Sequence, residues 1–221
     1  MEREWNLDER TDGKLYGADD LVKVGCQDCK GCSACCHDMR QSIVLDPYDI
    51  WMLTGGLDMT FEELLVNALE LNVVDGLILP NLKMQENTGA CCFLNEKERC
   101  NIHTYRPGIC RLFPLGRLYE ENTFQYFLQV HECRAKNRTK VRIRRWLDIP
   151  AYQQYEAFIT DWHYWLKQYQ LQIKQGILQG ECLRELNIQI LNTFFLTPYD
   201  KEQDFYPQYM QRIKDFKISN G

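Results

Sequence analysis

The sequence predicts a mainly α-helical fold with irregular loops organised by metal, at most a short β-hairpin, and a helical C-terminal extension. Three observations lead there. Ten of the 11 cysteines of this 221-residue chain fall before residue 134. Helix-capping signals bracket two short segments between the cysteine groups, and the apolar residues beyond Pro150 recur at steps of three and four. With 45% hydrophobic residues the chain is large enough to bury a core.

In chain order, Asp46 followed by Pro47 reads as an N-cap with proline at the first helical position, and Gly55-Gly56 predicts the end of that helix. Thr60 with Glu63 forms a capping box that opens a second helix through about residue 70. Residues 76–80 and 123–130 carry strand-like composition beside the second cysteine group. Beyond Pro150, Tyr152, Tyr155, Ile159, Trp162, Leu166, Tyr169 and Ile173 lie on one helical face, widened by Phe158 and Trp165. That stripe predicts a long amphipathic helix with an intramolecular core face, and a last helix is expected after Pro207. The domain division expected is a cysteine-cluster metal-binding domain over 20–135 and a helical extension over 136–221 packed on it.

Composition narrows function. The 26 basic and 31 acidic side chains give a net charge of −5, which argues against a chain built to wrap nucleic acid. The one basic run, Arg134, Lys136, Arg138, Lys140, Arg142, Arg144 and Arg145, is interleaved with Val141, Ile143, Trp146 and Leu147, and reads as a partly buried helix with its charges in water. No apolar stretch approaches the roughly 20 residues needed to cross a bilayer, and the charged opening MEREWNLDER has no apolar leader core. The expectation is a cytoplasmic protein, where thiols stay reduced and metal is the leading explanation for so many of them.

Cys26, Cys29, Cys32 and Cys35 recur every third residue and Cys36 follows at once. Paired thiolates with two residues between them converge on one centre, and Gly31, Ser33 and Ala34 let the backbone curl around it. Three such thiolates wrap a cubane iron–sulfur cluster whose fourth ligand comes from elsewhere in the chain. Adjacent Cys35 and Cys36 leave an extended backbone on opposite faces, so they suit two centres better than one. Cys91, Cys92, Cys100, Cys110 and Cys133 are available to complete both sites. Zinc is the alternative metal, since soft thiolates suit zinc and iron–sulfur clusters alike.

The segments Cys29-Lys-Gly-Cys32-Ser-Ala-Cys35-Cys36, Gly89-Ala-Cys91-Cys-Phe93-Leu94 and Cys100-Asn-Ile102-His-Thr-Tyr-Arg106-Pro107-Gly-Ile-Cys110-Arg111-Leu-Phe113-Pro114 resemble the YkgJ-like CxxCxxCC proteins, described as zinc- or iron-chelating. The likeness spans roughly residues 25–135. It implies that Cys29, Cys32, Cys35, Cys36, Cys91, Cys100 and Cys110 form the metal-binding set, with Cys133 as the later cysteine of such chains. Cys26 and Cys92 are extra, and His103 stands where the family usually has tyrosine, which leaves one or two ligands open. One branch of the family resembles flagellin lysine methylases, yet this chain shows no glycine-rich loop after a strand to hold S-adenosylmethionine.

Arg106 and Arg111 flank the proposed ligand Cys110, where a guanidinium can favour a thiolate or bond to an anionic cluster. His131-Glu132 begins like a zinc-protease motif but has Ala135 in place of the second histidine. Cys182 reads as a buried small hydrophobe on a helix. The function expected is binding of one or two thiolate-ligated centres, [4Fe-4S] before zinc, for electron transfer or support of protein modification. A non-catalytic module folded around structural zinc and an iron- or zinc-handling protein are the alternatives. An iron–sulfur oxidoreductase and a component of a protein-modifying enzyme both fit, so the sequence leaves enzyme activity open. The partner expected is a protein or an electron donor, with neither membrane nor nucleic acid.

Overall fold

The structure, a computed structural model, describes residues 10–26 and 32–219. It corrects the mainly helical expectation: the described residues are 44% helical and 23% strand, a mixed α/β fold. Strands β1 (Thr11–Tyr16), β6 (Thr123–Gln129) and β5 (Leu115–Glu120) form an antiparallel sheet in that order. Strand β2 (Leu21–Gly25) pairs with β7 (Thr139–Arg142), and β3 (Leu69–Val74) with β4 (Leu77–Leu82).

Local chemistry accounts for these hairpins. Strands β3 and β4 register Val74 opposite Leu77 across Asp75-Gly76, whose φ angles of 50° and 90° make the turn that an Asp-Gly pair favours. Strands β5 and β6 turn through Glu121-Asn122 with φ of 47° and 61°, the same geometry without a glycine to announce it.

The expected helices mostly appear. Helix α1 (Pro47–Leu57) starts at Asp46, whose side chain accepts from Asp49 N while Asp49 accepts from Asp46 N. It runs through Gly55-Gly56 and ends on Asp58 in the left-handed conformation, so the glycines do not stop it. Helix α2 (Phe61–Asn67) opens on the Thr60/Glu63 capping box and gives way to β3 at residue 69, short of the expected end. Two five-residue helices follow, α3 (Gly108–Leu112) and α4 (Ile143–Leu147). The basic run thus forms β7 and α4 instead of one helix, with Ile143 and Leu147 turned inward and Arg144 paired with Asp19.

Helix α5 (Tyr152–Lys174) buries Tyr155, Phe158, Ile159, Trp162, Trp165 and Leu166, the face that its spacing indicates. Helices α6 (Gly180–Leu191) and α7 (Phe205–Ser219) cover it. Phe158 meets Tyr209 edge-on at 4.7 Å, and Trp165 meets Phe216 at 5.2 Å. Each such ring pair contributes about 0.5–1.5 kcal/mol beyond burial. Asn187 of α6 accepts from Ile78 N at 2.6 Å, which docks the helix on the β3–β4 hairpin. One buried cluster runs from Val22 and Val24 through Leu53, Leu77 and Tyr155 to Phe216. No helix among the described residues is long and apolar enough to cross a membrane.

Candidate metal centre

Four chain segments meet where the cysteines lie. A 3-10 turn at Ala34–Cys36 closes with Cys36 N donating to Ser33 O at 2.7 Å. Cys91 N then donates to Cys36 O at 2.7 Å and Asp38 N to Gly89 O at 2.8 Å, so the two vicinal cysteine pairs lie side by side. Gly89 is needed there: its φ is 65°, and a Cβ would stand 2.6 Å from Asp38 Oδ1. Leu94 N donates to Cys91 O at 2.9 Å, and Leu94 bridges to Cys100, folding 91–100 into a knuckle. Cys110 arrives on α3, whose first N–H, Gly108 N, donates to Asp49 Oδ1 at 2.7 Å. Cys26, Cys32, Cys35, Cys36, Cys91, Cys100 and Cys110 line one cavity of about 1450 Å³.

The sulfurs interact electrostatically. Cys35 is held down to about 7, first by a hydrogen bond from the Cys36 thiol and further by the charge of Arg106. Cys91 is likewise held at about 7 by the Cys92 thiol and the Phe93 N–H. Cys36 and Cys92, the donors, are pushed up. Burial raises Cys100 and Cys110, and Cys110 is raised further by Asp49, Cys91, Cys100 and Cys35. Mutual repulsion among thiolates in a partly dry space is what a cation relieves, because metal binding takes up the deprotonated form. The donor set therefore fits zinc or an iron–sulfur cluster: several soft thiols, with backbone N–H groups of Phe93 and Ile102 donating to sulfur. Among the described residues no three Cys, His, Asp or Glu side chains already close on one point.

Of the residues singled out in the sequence, Cys32, Cys35, Cys36, Cys91, Cys100 and Cys110 meet at the cavity, as does the extra Cys26. Cys29 lies outside the described residues. Cys133 is half-buried in the segment after β6 and does not line the cavity. Cys92 is not among the lining residues, and its sulfur lies 3.4 Å from Ala68 O. Cys182 is exposed, not buried as expected, because it falls on the outer face of α6.

Arg106 lines the cavity, contacts the His103 ring and has a buried Nε without a hydrogen-bond partner. Arg111, only 5% exposed, donates to the carbonyls of Thr104, Arg106, Leu147 and Asp148. Its guanidinium thus ties the 100–110 segment to the end of α4. Sequence reading missed Asp49, Arg117, Tyr119 and Tyr155, which line the same cavity. Strand geometry puts Leu115, Arg117 and Tyr119 on one face once β5 pairs with β6, a pairing that the local sequence does not announce.

Residues 28–134 match the model of the CxxCxxCC family, described as a "putative zinc- or iron-chelating domain". No curated protein and no solved structure matches the chain.

Proposed function

Residues 28–134 are a CxxCxxCC domain, and from that premise we propose that the chain binds one or two thiolate-ligated centres, the first of them a [4Fe-4S] cluster. The observation that carries this reading is the meeting of thiols from four separate segments in one cavity, two of them poised to ionise near neutrality. The ligands we assign are Cys32, Cys35, Cys36, Cys91, Cys100 and Cys110 at the cavity, with Cys29 and Cys133, which the cavity lining does not include, assigned from the cysteine pattern alone. When bound, a cluster supplies one-electron chemistry. The chain's own part is to present ionised sulfur, to aim the Phe93 and Ile102 N–H groups at it, and to place the Arg106 charge near an anionic centre. We assign the protein to electron transfer or to support of modification of a partner protein.

The test is anaerobic purification followed by iron, zinc and acid-labile sulfide analysis. Broad visible absorption that dithionite bleaches, with sulfide matching iron, is the expected result. A colourless protein with stoichiometric zinc and no sulfide overturns the cluster assignment and leaves a zinc-held module.

A further inference from the structure

The cavity that receives the thiols extends past Asp46 and Asp49 to a wall built from Arg117, Tyr119 and Tyr155. Arg117 is part-buried there, and among the described residues no ion pair engages it. Its Nη2 donates to Tyr155 Oη at 3.1 Å, and its Nε is screened from solvent with no hydrogen-bond partner. The rings of Phe124 and Tyr155 lie 5.3 and 5.5 Å from its Cζ, so aromatic surface flanks the guanidinium.

The nearest acids do not neutralise it. Asp46 and Asp49 interact with Arg117 only through space, and no described carboxylate forms an ion pair with it. Their oxygens are engaged by backbone donors instead: Asp46 Oδ1 takes Asp49 N, and Asp49 takes Asp46 N and Gly108 N. The phenols around Arg117 are held neutral, since burial raises Tyr119, Tyr126 and Tyr155. A part-buried guanidinium with one screened, unmet N–H and neutral phenols for partners carries a charge that nothing beside it pairs. An anion entering from the cavity pairs it.

We infer that Arg117 anchors the carboxylate of a small organic acid whose apolar body lies along Tyr119, Tyr155, Ile159 and Trp162, in the same cavity as the thiols. A carboxylate suits the site better than phosphate. There is one guanidinium to offer, which a monoanion neutralises and a dianion overfills, and the Asp49 charge close by opposes further negative charge. The body-lining residues are aromatic or aliphatic, and His163, stacked on Tyr119 at 3.6 Å, is kept neutral by burial and so adds no second charge. This site does not depend on which metal the thiols hold.

The test titrates the full-length protein with benzoate, isobutyrate and inorganic phosphate by calorimetry, comparing wild type with Arg117→Met and Arg117→Lys. Saturable binding of at least one carboxylate, weakened roughly 10- to 100-fold in Arg117→Met, with unchanged metal content is the expected result. Because the methionine variant removes a part-buried charge that no described carboxylate pairs, its thermal midpoint without ligand should equal or exceed that of wild type, which separates lost binding from lost folding. Binding undiminished in Arg117→Met, absence of saturable binding by either carboxylate into the tens of millimolar, or binding of phosphate alone overturns the inference.

Discussion

Replacing Asp49 tests how the fold holds the segment that carries Cys110. The side chain is 3% exposed, accepts from Gly108 N at 2.7 Å and completes the α1 capping box with Asp46 N at 3.2 Å. Asp49→Ala orphans Gly108 N, at about 1–3 kcal/mol for an unmet buried donor, and removes half of the capping box, about 1 kcal/mol. The expected loss is roughly 2–4 kcal/mol in urea unfolding of the metal-loaded protein, with lowered metal retention against a chelator because α3 is no longer anchored. Asp49→Asn separates hydrogen bonding from charge, since its amide oxygen can still accept from Gly108 N. Burial raises the Asp49 carboxyl to about 6 from 3.8. A raised carboxyl favours the protonated native state, so its contribution is fully present below pH 4 and is lost as pH rises through about 6. That amounts to at most about 3 kcal/mol. Wild type should therefore exceed Asp49→Asn by about 1 kcal/mol near pH 4, and the gap should close or reverse by pH 7. An Asp49→Ala loss below 1 kcal/mol, or a gap that widens with pH, refutes the reasoning.

Two further outcomes follow from the same contacts. Arg111→Met strands the carbonyls of Thr104, Arg106, Leu147 and Asp148 that the guanidinium satisfies. It should cost about 3 kcal/mol or more by denaturant unfolding and raise amide exchange across 100–110. Cys91→Ser should lower metal content, whereas Cys92→Ser and Cys182→Ser, whose sulfurs stay off the cavity, should retain it with stability changes near ±0.5 kcal/mol for the exposed Cys182. Metal analysis of the three purified variants checks the ordering.

The sequence showed helices more readily than strands for a physical reason. Tyr152 to Ile173 repeats a 3.6-residue period over six turns, and Asp46-Pro47 and Thr60/Glu63 carry side-chain caps that local chemistry specifies. The strands are four to seven residues long and gain stability only by pairing: β2 finds β7 more than a hundred residues away, and β1 finds β6 at a similar remove. Even the local β3–β4 hairpin hides its first strand, because Leu69-Glu70-Leu71 extends the apolar pattern of α2. The Asp75-Gly76 turn was the available clue, while Glu121-Asn122 gives a weaker one, since asparagine tolerates positive φ but glutamate does not favour it.

The site divides along the same line. Cysteine spacing is a local record, and the thiols on the knuckles reach one cavity even though their segments lie up to 84 residues apart, from Cys26 to Cys110. Arg117 belongs to the non-local part. In sequence it is an ordinary arginine between Gly116 and Leu118; only the pairing of β5 with β6 turns it toward Tyr155 of α5, where its charge meets a phenol and pairs with no described carboxylate. The link between the two halves is Asp49, which holds the start of α3 through Gly108 N while its negative charge lies close enough to affect both Cys110 and Arg117. A charge change at one end of the cavity thus acts on both ends at once, so metal binding at the thiols and acid binding at Arg117 are expected to influence each other through that carboxylate. The free energies of the two must then be reciprocal, and either ligand titrated in the presence of the other reads the same coupling.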